Sequence, residues 1–133
     1  MPFSDLPGDE QKARLELAAK AGNVELTDSD IYIVYLKKIA ELSRLRGKTF
    51  IAIIPPINPE VMKHINKTIY AKNSDRIRLI LQEGRIVLID YNFRDIGIPP
   101  SYYFDAEHFT WNGRKSFAEI LAHDTYSIIT HGR

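Results

Sequence analysis

An α/β fold with a parallel sheet and flanking helices is what this sequence predicts, on two observations. The runs "TFIAII" at 49–54 and "RIVLID" at 85–90 are apolar without alternation, as suits strands buried on both faces. Between them lie helix caps and helical periodicity, so the order is strand, helices, strand. That order is a βαβ crossover, expected to be right-handed with parallel strands. At 133 residues the chain holds one domain with a real core and is too short for two comfortable ones.

The elements follow in order. Residues 1–8, with Pro2, Pro7 and Gly8, read as an irregular lead-in. Asp9 can cap a short helix over 10–21, ended by Gly22-Asn23, whose apolar face (Leu15, Ala18, Ala19) is weak. Residues 1–27 therefore read as a lead-in and a peripheral helix. The next helix, 28–46, is better marked: Thr27-Asp28-Ser29-Asp30 resembles a capping box, and Leu26 and Ile31 occupy staple positions. Ile31, Tyr35, Ile39 and Leu42 form an apolar stripe at helical spacing, and Arg44, Arg46 and Gly47 supply a basic last turn and a stop.

After the first strand, Asn58-Pro59-Glu60 gives a cap, a first-turn proline and a first-turn acid, with Val61, Met62, Ile65 and Ile69 as the inner face. Ser74 can cap a further helix over 75–82 that Gly84 stops, ahead of the second strand. A helix over 113–122 comes later, with Phe117, Ile120 and Leu121 facing in. Residues 126–130, "YSIIT", read either as a last short strand or as a tail packed on the domain.

Composition excludes several functions. The apolar fraction of 44% and charged fraction of 26% are those of an ordinary globular protein. A net charge of +1 gives no electrostatic case for nucleic acid or an anionic membrane. The cluster Arg44-Leu45-Arg46-Gly47-Lys48 suits the negative end of a helix dipole. With no cysteine, disulfides, thiolate metal sites and a cysteine nucleophile are excluded. Met1-Pro2-Phe3-Ser4-Asp5 lacks the features of a signal peptide and no apolar run reaches the length of a membrane span, so a soluble chain is expected.

Residues 91–112 have no clear element of their own, and long connections in compact domains are usually functional or disordered, the aromatic content here speaking against disorder. The segment leaves the carboxyl end of a parallel strand, where open α/β sheets place ligand sites. Aromatics stand at 102, 103, 104, 109, 111 and 117, and Asp105 lies three residues before His108. An acid so placed on a tight loop can accept the Nδ1 proton of the histidine and leave the other ring nitrogen facing a hydroxyl.

Asp105-Ala106-Glu107-His108 followed by "FTWNGRKSFAEIL" resembles the last block of the SGNH (GDSL-like) hydrolases, where an Asp-x-x-His pair follows the final strand and a Gly begins the closing helix. "FIAIIPPINPE" is similar to the branch containing the D-alanyl transfer protein of teichoic acid synthesis and the alginate acetylation proteins. The resemblance covers about residues 28–122. It implies a partial three-layer, flavodoxin-like parallel sheet, with residues 28–133 as the C-terminal portion of such a domain. It also implies His108 as general base and acid, with Asp105 orienting it, in an esterase or O-acyltransferase for a carbohydrate or lipid ester. No cofactor and no metal are implied.

The family's other motifs are missing: the sequence has neither Gly-Asp-Ser nor Gly-x-Asn, and Gly8-Asp9-Glu10 offers Glu where serine is needed. The expectation is thus a domain lacking its nucleophile half and inactive alone. An alternative is a non-catalytic module that self-associates through an exposed sheet edge, since two strands leave edges unpaired. Either a second copy or an N-terminal half would cover that edge. The plain reading of Asp105 and His108 is a turn cap beside an ordinary histidine. Glu107 reads as solvent-facing. The set Asp105, Glu107 and His108 lacks a metal-ligand spacing. Tyr102, Tyr103, Phe104 and Trp111 suit either a stacking surface or a lid packed on the core. Ser4, Ser29, Ser43, Ser74, Ser101, Ser116 and Ser127 read as caps or surface residues.

Overall fold

The computed structural model describes residues 5–131, so the part of the lead-in at 1–4, Ser4 included, lies outside the described residues. The elements run α1 (Gly8–Gly22), α2 (Ile31–Arg46), β1 (Ile51–Ile54), α3 (Pro59–Met62), α4 (Lys67–Glu83), β2 (Val87–Asp90), a 3-10 turn (Pro100–Tyr102) and α5 (Trp111–His131). The architecture is α/β, mostly helical, with a two-stranded parallel sheet. Contacts divide the chain into two units. The first contains residues up to Ala18, then Pro56–His64, and then Tyr91 onward; the second contains Ala19–Pro55 and Ile65–Asp90.

The second unit holds the sheet. Ile51 pairs with Val87 and Ile54 with Asp90, so the two apolar runs lie in parallel register. Ile33, Ala40, Ile80, Leu81 and Ile86 form its core, with Leu36, Ala52 and Leu88 packed against it. Helices α2 and α4 approach closely at Gly84. A Cβ there would stand 2.6 Å from the carbonyl oxygen of Ala40 and 2.7 Å from its Cα, so glycine is required by space. Its φ is −85°, and the left-handed residue ending this helix is Arg85 at φ 57°.

Several boundaries differ from the sequence expectation. Helix α2 starts at Ile31 rather than 28. The Asp30 carboxylate makes the capping-box bond back to the Thr27 amide, at 2.6 Å, and accepts its hydroxyl at 3.0 Å, but residues 28–30 form a turn ahead of the helix. Its C-terminus is as expected, with Gly47 left-handed at φ 59°. The stripe Ile31, Tyr35, Ile39 and Leu42 is half exposed, and the opposite face, with Ile33, Ala40 and Ser43, is the buried one.

Ser74 does not cap a separate helix. Asn66 does the capping, accepting from the Thr68 and Ile69 amides at 3.0 and 3.1 Å, and one helix then runs through to Glu83. Ser74 sits inside it and donates to Asp90 Oδ2 at 3.2 Å, beside the Tyr70 hydroxyl, which reaches both Asp90 oxygens at 2.7 and 2.8 Å.

The first unit is built on aromatic rings. Tyr91 meets Phe117 edge-on at 5.0 Å, Phe109 lies 5.4 Å from Phe117, and Tyr103 lies 4.6 Å from Phe109. Residues 126–130 are helical, which overturns the strand alternative: α5 continues unbroken to His131. Thr125 and Thr130 turn their hydroxyls back to carbonyls one turn earlier, at 2.7 and 2.8 Å, so these β-branched residues are accommodated in the helix.

Candidate functional site

The loop bearing Asp105 and His108 is anchored at both ends by backbone pairing. Tyr103 and Phe109 form an antiparallel bridge, and the Phe104 amide donates to the His108 carbonyl at 2.7 Å. Inside this closed turn Asp105 Oδ1 accepts the amides of Glu107 and His108 at 2.9 and 2.8 Å. The ring Nδ1 of His108 then lies 2.9 Å from Oδ1 and 2.8 Å from Oδ2. A three-residue separation works because the carboxylate first ties down the turn and then meets the ring with the same atoms.

Burial raises the affinity of Asp105 for a proton. The two amide bonds and the contact with His108 outweigh it, and the carboxyl is held below its ordinary value of 3.8. Asp105 is therefore a carboxylate at neutral pH, which fixes Nδ1–H on the ring that faces it. The His108 side chain is 75% exposed, and Nε2 has no hydrogen bond to any described residue.

Two supports were not legible as such in the sequence. Asn58, 1% exposed, caps α3 by accepting the Glu60 amide at 3.0 Å, as expected. It also donates its own amide to the Ala106 carbonyl at 2.9 Å and its Nδ2 to the Asp105 carbonyl at 3.5 Å. The cap signal shows the helix start, but contact with a loop 47 residues away leaves no local trace. The second is the middle of α1, which walls the loop without bonding to it. Arg14 and Ala18 join residues 105–108 around a pocket of about 230 Å³, so the helix read as peripheral forms one wall of the site.

The closing helix is held close by Gly113. A Cβ there would collide with the Tyr102 carbonyl oxygen and stand 2.8 Å from a ring carbon of Phe109. That same carbonyl accepts the Thr110 amide at 2.8 Å and the Thr110 hydroxyl at 3.1 Å. Thr110 Oγ1 also accepts the Gly113 amide at 3.3 Å, satisfying one free donor of the helix end.

The aromatics divide. Tyr103 is in the core, where burial pushes its hydroxyl up to about 12, whereas Trp111 is 77% exposed. Glu107 is exposed as expected. No described serine bonds to His108, and Ser43 and Ser74 are occupied with the Gly84 carbonyl and with Asp90. Among the described residues no group of three metal-ligating side chains occurs.

A second pocket of about 350 Å³ lies in the same unit, lined by Ile57, Met62, Asn92, Arg94 and Tyr103 among others. Below Tyr91 its frame is electrostatic. Burial, then the bond from its hydroxyl to Asp124 at 2.9 Å, pushes Tyr91 up to about 12. Arg94 reaches the same carboxylate at 3.0 Å and lies over the Tyr91 ring at 4.6 Å.

Fold and site together define an α/β protein that presents an aspartate-oriented histidine on a braced loop. A family model matches residues 20–130, and the chain belongs to that family, which has no assigned function. Comparison with curated proteins and with solved structures gives no match. No described helix is long and apolar enough to cross a membrane.

Proposed function

We propose that this chain carries the base half of an acyl-transfer site of the SGNH (GDSL-like) type, acting on an ester of a carbohydrate or lipid. The observation that supports it is the doubly held Nδ1 of His108 with Nε2 free and facing solvent. On this reading the two-stranded sheet is part of a flavodoxin-like, three-layer sheet. A hydroxyl oxygen attacks the ester carbonyl carbon and its proton passes to His108 Nε2. Asp105 stabilises the resulting imidazolium, and Nε2 then returns the proton to the departing alkoxide. The hydroxyl comes from outside residues 5–131, since the sequence contains no Gly-Asp-Ser and no described serine reaches His108. The pocket that Arg14 and Ala18 share with residues 105–108 is the space this reading gives to a substrate group.

The purified chain alone is expected to cleave p-nitrophenyl esters no faster than its His108→Ala variant. Supplied in trans with a separate polypeptide bearing a Gly-Asp-Ser strand, turnover should appear and fall by about 10²-fold or more in His108→Ala. Undiminished turnover by the reconstituted His108→Ala protein would refute the assignment.

A further inference from the structure

Helix α2 is apolar on two sides, and the fold uses only one. Ile33, Leu36, Ala40 and Ser43 face the core of the second unit. Ile31, Tyr32, Tyr35, Ile39, Leu42 and Leu45 are all at least half exposed, at 50–79%. At about 100° per residue these six span an arc of about 140° on the other side of the helix. A helix apolar over so much of its circumference belongs between two layers, and here one layer is missing.

The surface is large enough to matter. At about 200 Å² for each large side chain, the six exposed residues offer about 700 Å². That is about what each partner contributes to a standard stable interface. Monomeric proteins seldom leave so much contiguous apolar surface in water.

The order of residues along the strip selects the occupant. With a two-fold axis between Lys38 and Ile39, Tyr35 of one copy and Leu42 of the other stand at the same height. The two positions are only about 20° apart near the middle of the arc, so the Tyr35 ring of each copy faces Leu42 of the other. Symmetry makes that ring-on-aliphatic contact twice. No charged residue falls directly opposite a like charge in this register, and the Lys38 ammonium lies 5.3 Å from the centre of the Tyr35 ring, within cation–π range. A two-fold interface requires a patch that is complementary to itself, which this strip is at its centre, and the exposed area is that of one partner in a stable dimer.

We propose that two copies of this chain associate through the exposed face of α2, with the helices antiparallel across a two-fold axis between residues 38 and 39. The interface is independent of the chemistry assigned to His108, and its failure would leave that assignment standing.

The test is sedimentation velocity on the full chain from micromolar to sub-millimolar concentration. A dimer is expected, and Tyr35→Glu or Leu42→Glu should weaken it by about tenfold or more while the circular dichroism stays unchanged. Leu79→Glu, at an exposed apolar position on α4, should leave it intact. A monomer at every concentration, or equal weakening by Leu79→Glu, would overturn the proposal and assign the strip to another polypeptide. Because the chain has no cysteine, register can be read by crosslinking. Tyr35→Cys mixed with Leu42→Cys should give the mixed disulfide, whereas self-linked products in equal yield would overturn the antiparallel register.

Discussion

Replacing Gly113 by alanine sets two opposite expectations against each other. Local propensity favours the change: alanine in place of a helical glycine contributes about 0.5–1 kcal/mol. Tertiary packing opposes it, because the new Cβ would collide with the Tyr102 carbonyl oxygen and press on the Phe109 ring at 2.8 Å. The obstacle is backbone and cannot rotate away. Forcing a methyl group into a filled space costs about 1–3 kcal/mol. Displacing the Tyr102 carbonyl also strains its bonds from the Thr110 amide and hydroxyl, at about 1 kcal/mol for each bond lost. The net expectation is destabilisation by about 2 kcal/mol, or a Tm lower by about 8 °C. Urea melts followed by circular dichroism would measure it. Gly8→Ala is the control, since a Cβ there meets nothing within 4 Å, and it should be neutral or slightly stabilising. A Gly113→Ala protein as stable as the parent would refute the close packing of α5 on the site loop.

Two further outcomes concern the loop itself. Asn58→Ala removes a buried cap and should cost about 1–2 kcal/mol in urea denaturation. Asn58→Ser should recover most of it by keeping a capping oxygen. Both variants should lower the hydrogen-exchange protection of the 105–108 amides, because the Nδ2 donor to Asp105 is gone. Asp105 sets the pH response. Its folded carboxyl titrates below 3.8, so the bonds it contributes are fully present above that value and are lost as pH falls through the folded value. Protection of the Glu107 and His108 amides should drop in that acid window, and Asp105→Asn should abolish the pH dependence. A window lying above pH 3.8 would show that Asp105 is not the titrating group.

How far the sequence reaches depends on whether a signal is local. The two apolar runs, the Asn58-Pro59 helix start and the Gly47 stop each depend on a few adjacent residues, and each is found where the pattern put it. Asp105 and His108 were legible as a pair because a single turn brings them together. Ser74 misled because a serine ahead of an acid looks the same whether it begins a helix or lies inside one, and only its bond to Asp90 decides. "YSIIT" is strand-like in composition, yet α5 continues through it.

The sequence by itself determined the α/β class, the two strands in parallel pairing and the acid–histidine turn, because period, capping and spacing act over a few residues. The expected burial of the strands on both faces is not met, since Ile53 and Val87 are exposed and only Ile89 among the strand residues is fully buried. Only the tertiary structure decided which side of α2 is covered, that Asn58 braces the site loop while α1 walls a pocket beside it, and that Gly84 and Gly113 are fixed by close approach. Those outcomes depend on contacts between residues far apart in the chain, as when the Gly84 position meets Ala40 and Gly113 meets Tyr102. A helix with two apolar sides carries no local mark of which one its own chain will bury.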